Sequence, residues 1–321
     1  MHGCRNVFLV VDERSGAHVP DPGERAIRLC RQGEFADGIL FLHPTPRGAA
    51  KMVLYNADGS PGAMCGNGIR CVGKWLIERD PAACKLLRTS RAPRELVQSL
   101  RLSSNDWPAL VGQALTSAAG LLPDLGPVAL HRVDVDTPAG LRILYGLSIA
   151  GLVRFVTVDL GPPTLRRREF ACTLEGDEVL DRPVHVAGRN FVITCVSTGN
   201  VHAVIFVPDV ETVDVRHDGP ALERASCFPD RANIHFVQVL NRTHLRMRNW
   251  ERGAGETAAC GTGACAATVA AHATGRAENS CLVTQPGGDV FIHLGETALL
   301  TGPTETMDEG IDAVSGCATK R

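Results

Sequence analysis

Two stretches of this sequence place a thiol in the same surroundings. "NADGSPGAMCGNGIRC" runs from Asn56 to Cys71, and "ERGAGETAACGTGACA" runs from Glu251 to Ala266. Around Cys65 and Cys260 both read Cys-Gly-polar-Gly and then enter residues at helical spacing. With 33 glycines in the chain, one such tetrad reads as a structural turn. Its recurrence at an equivalent point of a repeated strand pattern points to a duplicated thiol site. First-turn amides and the helix dipole favour negative charge, so a cysteine there is expected to be a thiolate more readily than one in solution. The same amides can hold a carboxylate. Two such helix starts aimed into one cleft would grip a substrate carboxylate with a sulfur on each side of the adjacent carbon, as a two-base racemase requires. Without an electron-sink cofactor, only preorganised donors in a dry site stabilise the charge left by the α-proton. Inversion needs a base on one face and an acid on the other, so one cysteine is to be thiolate and the other thiol, titrating as a coupled pair.

The alternative of another class is a thiol redox or zinc-binding protein. No C-x-x-C pair occurs, and Cys65 with Cys71, or Cys260 with Cys265, is spaced too widely for a zinc knuckle. A pyridoxal-phosphate racemase would need a Schiff-base lysine, and the chain has only Lys51, Lys74, Lys85 and Lys320 to offer. Lys plus Arg number 33 against 35 Asp plus Glu, so no basic field invites nucleic acid or an anionic membrane, and a small-molecule partner fits better. "VFLVVD" is too short to span a bilayer and no export signal is read before it, so a cytoplasmic protein is expected. Disulfides are accordingly not expected among the twelve cysteines. Cys30, Cys84, Cys195 and Cys281 sit beside apolar residues and read as small buried hydrophobes.

The elements that must carry the thiols are mostly strands. Apolar runs at 7–11, 38–42, 52–55, 128–136, 141–146 and 154–160 form one set, and runs at 190–197, 202–207, 234–240, 244–250, 289–294 and 298–302 a second. "GIRCVGKWLIER" and "GACAATVAAHATG" read as helices, each directly after a thiol turn. At 321 residues two domains are expected, with the change at the Pro- and Arg-bearing stretch 161–169. The reading is an N-terminal domain of 1–160 that takes back a strand at 298–309, a C-terminal domain of 161–297, and a fraying tail of 310–321. The stretch 81–127 has broken helical character and no functional reading.

These motifs resemble the cofactor-independent diaminopimelate epimerases. "MHGCRN", "ADGILFL", "NADGSPGAMCGNGIRC", "TPAGL", "GNVH", "RANIHFVQ", "ERGAGETAACGTGACAA", "PGG" and "TGP" occur in that family's order across most of both domains. The resemblance implies an α/β fold of two pseudosymmetric domains, each a curled mixed sheet wrapped around a central helix, closing over a cleft. It implies an isomerase that interconverts LL- and meso-diaminopimelate in lysine and peptidoglycan precursor synthesis, as a homodimer without metal or cofactor. Carried over, Cys65 and Cys260 are the catalytic acid/base pair. Gly66, Asn67, Gly261 and Thr262 hold the reacting carboxylate, and Asn6, Asn56, Asn200, Asn233, Glu251 and Arg252 make the other substrate contacts. His202 and Glu251 tune the thiols' proton affinity. The departures are Arg5 and Val7 flanking Asn6, and Val201 where the family has proline. A racemase of another amino acid, such as histidine, is the alternative on the same scaffold.

Overall fold

The computed structural model describes residues 1–16, 20–31, 36–62, 65–91 and 127–307. It divides into two compact units, one of the described residues up to Val158 together with those from Gly302, the other Asp159–Thr301. Most of the stretch 81–127, and the tail 310–321, lie outside the described residues.

The first unit contains β1 (His2–Gly3), β2 (Asn6–Asp12), α1 (Pro22–Arg31), β3 (Gly38–His43), β4 (Ala50–Asn56) and β5 (Pro61–Gly62). After them come α2 (Gly66–Arg79), β6 (Lys85–Ser90), β7 (Val128–Thr137), β8 (Gly140–Ile149) and β9 (Leu152–Asp159). Its sheet is mixed: β2 and β3 are parallel, β3 and β4 antiparallel, β4 and β7 parallel, and β7, β8 and β9 follow antiparallel. Helix α2 touches β1, β2, β4, β7 and β8, so the sheet curls around it. Every residue from Gly66 to Lys74 is buried. Burying Ile69, Val72 and Leu76 stabilises this arrangement by roughly 1.5–3 kcal/mol per side chain.

The second unit opens with β10 (Arg182–Val186), β11 (Arg189–Ser197), β12 (Val201–Phe206), α3 (Val215–Glu223), β13 (Asn233–Asn241), β14 (His244–Glu251) and β15 (Gly255–Thr257). It continues with α4 (Gly261–Ala273), β16 (Ser280–Gln285) and β17 (Gly288–Leu294), and β18 (Ala298–Pro303) carries the chain back into the first unit. Its pairings repeat those of the first: β12 and β13 parallel, β13 and β14 antiparallel, β14 and β16 parallel, and β16, β17 and β18 antiparallel. Helix α4 is buried from Gly263 to Ala271, and its alanine-rich surface lets the strands close on it from every side. The duplication read in the thiol motifs therefore extends to the whole topology. Each unit is a curled mixed sheet around a central helix, as the α/β reading anticipated. No helix among the described residues is long and apolar enough to cross a membrane.

Candidate active site

In the first unit Cys65 is the N-cap of α2, with φ −127° and ψ 119°, and its sulfur accepts the N–H of Gly68 at 3.4 Å. Asn6 begins β2, and its Oδ1 lies 3.9 Å from Cys65 Sγ. The two-residue turn that delivers Asn6 is unusual: Cys4 and Arg5 both hold left-handed φ, 53° and 61°, in a hairpin that pairs Gly3 with Asn6. Such hairpin turns normally take Asn-Gly, because a Cβ is costly there. Beneath the helix start, Arg70 is fully buried and donates to Gly66 O at 3.1 Å and Asn67 Oδ1 at 2.9 Å. The side chain of Asn67 is thus held inward. Asn56 ends β4 in a turn where its amide donates to Ser60 Oγ at 3.0 Å.

In the second unit Cys260 is the N-cap of α4, with φ −127° and ψ 111°, and its sulfur accepts the N–H of Gly263 at 3.3 Å. Thr262 Oγ1 stands 3.6 Å from the sulfur. Glu251 lies nine residues before Cys260 (260 − 251), as Asn56 lies nine before Cys65 (65 − 56). Its carboxylate accepts from Thr257 Oγ1 at 2.6 Å and from the Cys260 thiol. Burial raises the pKa of Glu251. Burial and the facing Glu251 charge push the Cys260 thiol well up, against the smaller lowering from Thr262 and the Gly263 N–H. At Cys260 the acidifying effect expected of a helix start is thus outweighed: the hydrogen bonds from Thr262 and Gly263 do not offset removal from water beside a carboxylate.

Asn233 is buried and its amide is committed at both ends, donating to Val201 O at 3.2 Å and accepting from Arg252 N at 2.9 Å. It thereby ties the "GNVH" turn to the Glu251–Arg252 turn. Arg252 is exposed and donates to Asp230 O at 2.9 Å. His202 is fully buried, and its Nε2 is 2.8 Å from Asn200 Oδ1 and 3.0 Å from Thr198 Oγ1. Its Nδ1 is 2.8 Å from His235 Nε2. Burial, then His235 and then Arg252, hold His202 well below the usual imidazole range. His202 is thus a neutral member of a hydrogen-bonded chain rather than a charge beside Cys260, whose proton affinity is set by burial, Glu251, Thr262 and Gly263.

Sequence reasoning missed His235, Asn249, Thr257, Gln285 and Arg70. Gln285 Oε1 accepts the N–H of Cys260 at 2.8 Å and the Asn249 amide at 3.0 Å. Cys84, read as a buried hydrophobe, is only half-buried, because it caps the short turn after α2 rather than facing a core. Cys30, Cys195 and Cys281 are buried, and no described cysteine is in a disulfide. Among the described residues no group of three or more His, Cys, Asp or Glu has metal-holding geometry.

The family model for diaminopimelate epimerase matches residues 1–90 and 194–306. A diaminopimelate epimerase of Desulfitobacterium hafniense is 36% identical, covering 98% of this chain and 98% of that protein. One of Moorella thermoacetica is 37% identical, covering 97% and 96%. Among solved structures, the chain is similar in fold to a probable proline racemase from Agrobacterium radiobacter K84, with TM-score 0.59 and 14% identity over 96% of this chain and 92% of that one. It is also similar to a hydroxyproline epimerase from Agrobacterium vitis, with TM-score 0.58 and 17% identity over 94% and 86%.

Proposed function

The chain belongs to the diaminopimelate epimerase family, and on that premise we propose that it interconverts LL- and meso-diaminopimelate with Cys65 and Cys260 as its acid/base pair. The observation that carries the reading is the twinned N-cap: two thiols, each accepting the amide three residues on, in two units of repeated topology. One thiolate removes the α-proton and the other thiol returns a proton to the opposite face, so the pair exchanges roles with each turnover. The N–H groups of Gly66, Asn67, Gly261 and Thr262 come at helix first turns, where no upstream carbonyl within the helix accepts them. They are assigned to the reacting carboxylate, whose oxygens gain charge in the transition state. Arg252, exposed on its turn, is assigned to the distal carboxylate of the substrate, and the amide oxygens of Asn6, Asn56 and Asn200 to its ammonium groups. Glu251 serves Cys260 itself, keeping it a thiol until substrate neutralises the pocket. The enzyme is read as a cytoplasmic homodimer acting in lysine and peptidoglycan precursor synthesis.

Deuterium wash-in at Cα from heavy water tests the substrate, run with LL- and meso-diaminopimelate, histidine, proline and lysine. Exchange is expected with both diaminopimelate isomers and with no other member of the panel. Exchange of histidine without diaminopimelate would replace the substrate while keeping the chemistry.

A further inference from the structure

Behind Cys260 runs a buried polar chain with no counterpart at the equivalent described positions of the first unit. His202, His235 and Asn249 are fully inaccessible to solvent and Gln285 nearly so. The strand registers identify their counterparts. His202 pairs with Asn233 and Val204 with His235, as Phe8 pairs with Gly38 and Val10 with Leu40. His235 pairs with Asn249 as Leu40 pairs with Leu54, and Gln285 with Gly288 as Thr137 with Gly140. The first unit therefore carries Phe8, Leu40, Leu54 and Thr137 where the second carries His202, His235, Asn249 and Gln285. Apolar side chains suffice at three of these four positions, and Thr137 at the fourth bonds only its own turn, so the connected polar chain serves something other than packing.

Its hydrogens are ordered by a single unambiguous donor. The backbone N–H of Cys260 requires an acceptor, which fixes Gln285 Oε1 in place. Asn249 must then donate to that oxygen through Nδ2, which turns its Oδ1 to His235 Nδ1 at 2.9 Å and puts the hydrogen on Nδ1. A neutral His235 leaves Nε2 as an acceptor, so His202 donates through Nδ1 and its own Nε2 is left with a lone pair. That lone pair faces Thr198 Oγ1 at 3.0 Å, whose hydroxyl can donate to it, and Asn200 Oδ1 at 2.8 Å, a contact of two acceptors that a half-turn of the Asn200 amide turns into a second donor.

We infer that His235 is a positioning residue: it relays the polarity of the chain from Cys260 N–H to His202, so that Asn200 gives its Nδ2 to His202 and presents its oxygen outward as an acceptor for the substrate ammonium. The assignment of Asn200 to substrate rests on the proposed function. Full burial favours neutral rings throughout, with His235 brought down to about 4.

Nitrogen-15 spectra of the substrate-free enzyme test the polarity without using activity. Both rings are expected as Nδ1–H tautomers at pH 8, and a hydrogen on His202 Nε2 overturns the inference. His235→Leu installs the residue that the first unit holds at this register. It is expected to move His202 to the Nε2–H tautomer and raise KM for diaminopimelate about tenfold or more with a smaller change in kcat. His235→Gln, able to accept from His202 and donate to Asn249, is expected to stay within about threefold of the parent enzyme. An unchanged tautomer or KM in His235→Leu, or equal loss in both variants, overturns the inference. If His235→Leu does not fold, the parent spectrum decides alone. A parent enzyme inert toward diaminopimelate would remove the substrate reading and leave the spectrum to judge the chain.

Discussion

The helix start at Cys65 and that at Cys260 share a backbone and differ in what stands behind it. Cap angles agree within 8° in ψ (119° and 111°), and each sulfur takes the amide three residues on. Cys65 is partly exposed, with an amide oxygen as its near neighbour. Cys260 is buried, faces a carboxylate, and has its N–H held by Gln285. Duplicated topology fixes where each sulfur sits. The surrounding side chains decide how tightly it keeps its proton, and they diverge freely because the backbone does not depend on them.

The equivalence of the two thiols is broken most severely by removing them one at a time. Cys65→Ala and Cys260→Ala are each expected to lower racemisation by a factor on the order of 10²–10⁴ or more with the circular dichroism spectrum and Tm preserved. Full activity in either variant would remove that residue from the mechanism. The motif glycines should separate next. A Cβ at Gly263 would fall 2.3 Å from His235 Cε1, whereas at Gly68 the nearest atom is Leu40 Cδ2 at 3.1 Å, the movable end of a flexible chain. Gly263→Ala is expected to cost at least about 1–3 kcal/mol by overpacking, and Gly68→Ala less, as read from urea midpoints.

Acid should distinguish the units as wholes. An unfolded chain binds a proton at His235 below pH 6.5, while the folded ring resists it down to about 4, so folding loses stability as pH falls through that window. His202 acts in the same direction. The first unit has the half-buried His131 with a milder lowering. Hydrogen exchange between pH 7 and 5 is expected to show β12 and β13 opening before β2 and β3, and the reverse order would reject the account. The smallest effect is electrostatic. Glu251→Gln removes the charge that raises Cys260, so its iodoacetamide reactivity should move to lower pH.

The legible parts of the fold were those with a local signal. Alternating apolar runs located most strands within a residue or two, and the Cys-Gly-x-Gly tetrads located both central helices. Helix α3 escaped because Gly219 and Pro220 interrupt it, the glycine being required where the Trp250 ring lies 2.6 Å from a would-be Cβ. Helix α1 escaped because "PGERAIRLCR" is short and charged, with Arg25, Ala26 and Cys30 its only buried side chains among those described. Cys65 and Cys260 were marked by their repeated setting, whereas Glu251 entered only through the family resemblance. The polar chain was not legible, since its links span 33, 14 and 36 residues and leave no spacing to read. Only pairing of the strands makes neighbours of them.

Arg70 carries a consequence for how the protein is made. Its guanidinium is walled by Gly3 on one side and by Gly302 on the other, at 3.2 Å and 3.0 Å from a would-be Cβ, and His2 bridges to Glu305 nearby. A ribosome that has released the first 160 residues has delivered Cys65 but not the wall that seals its helix start. The earlier thiol therefore waits for the later one: nearly the whole polypeptide must emerge before the first unit can close, and maturation of the two sites is tied to a single late event in synthesis.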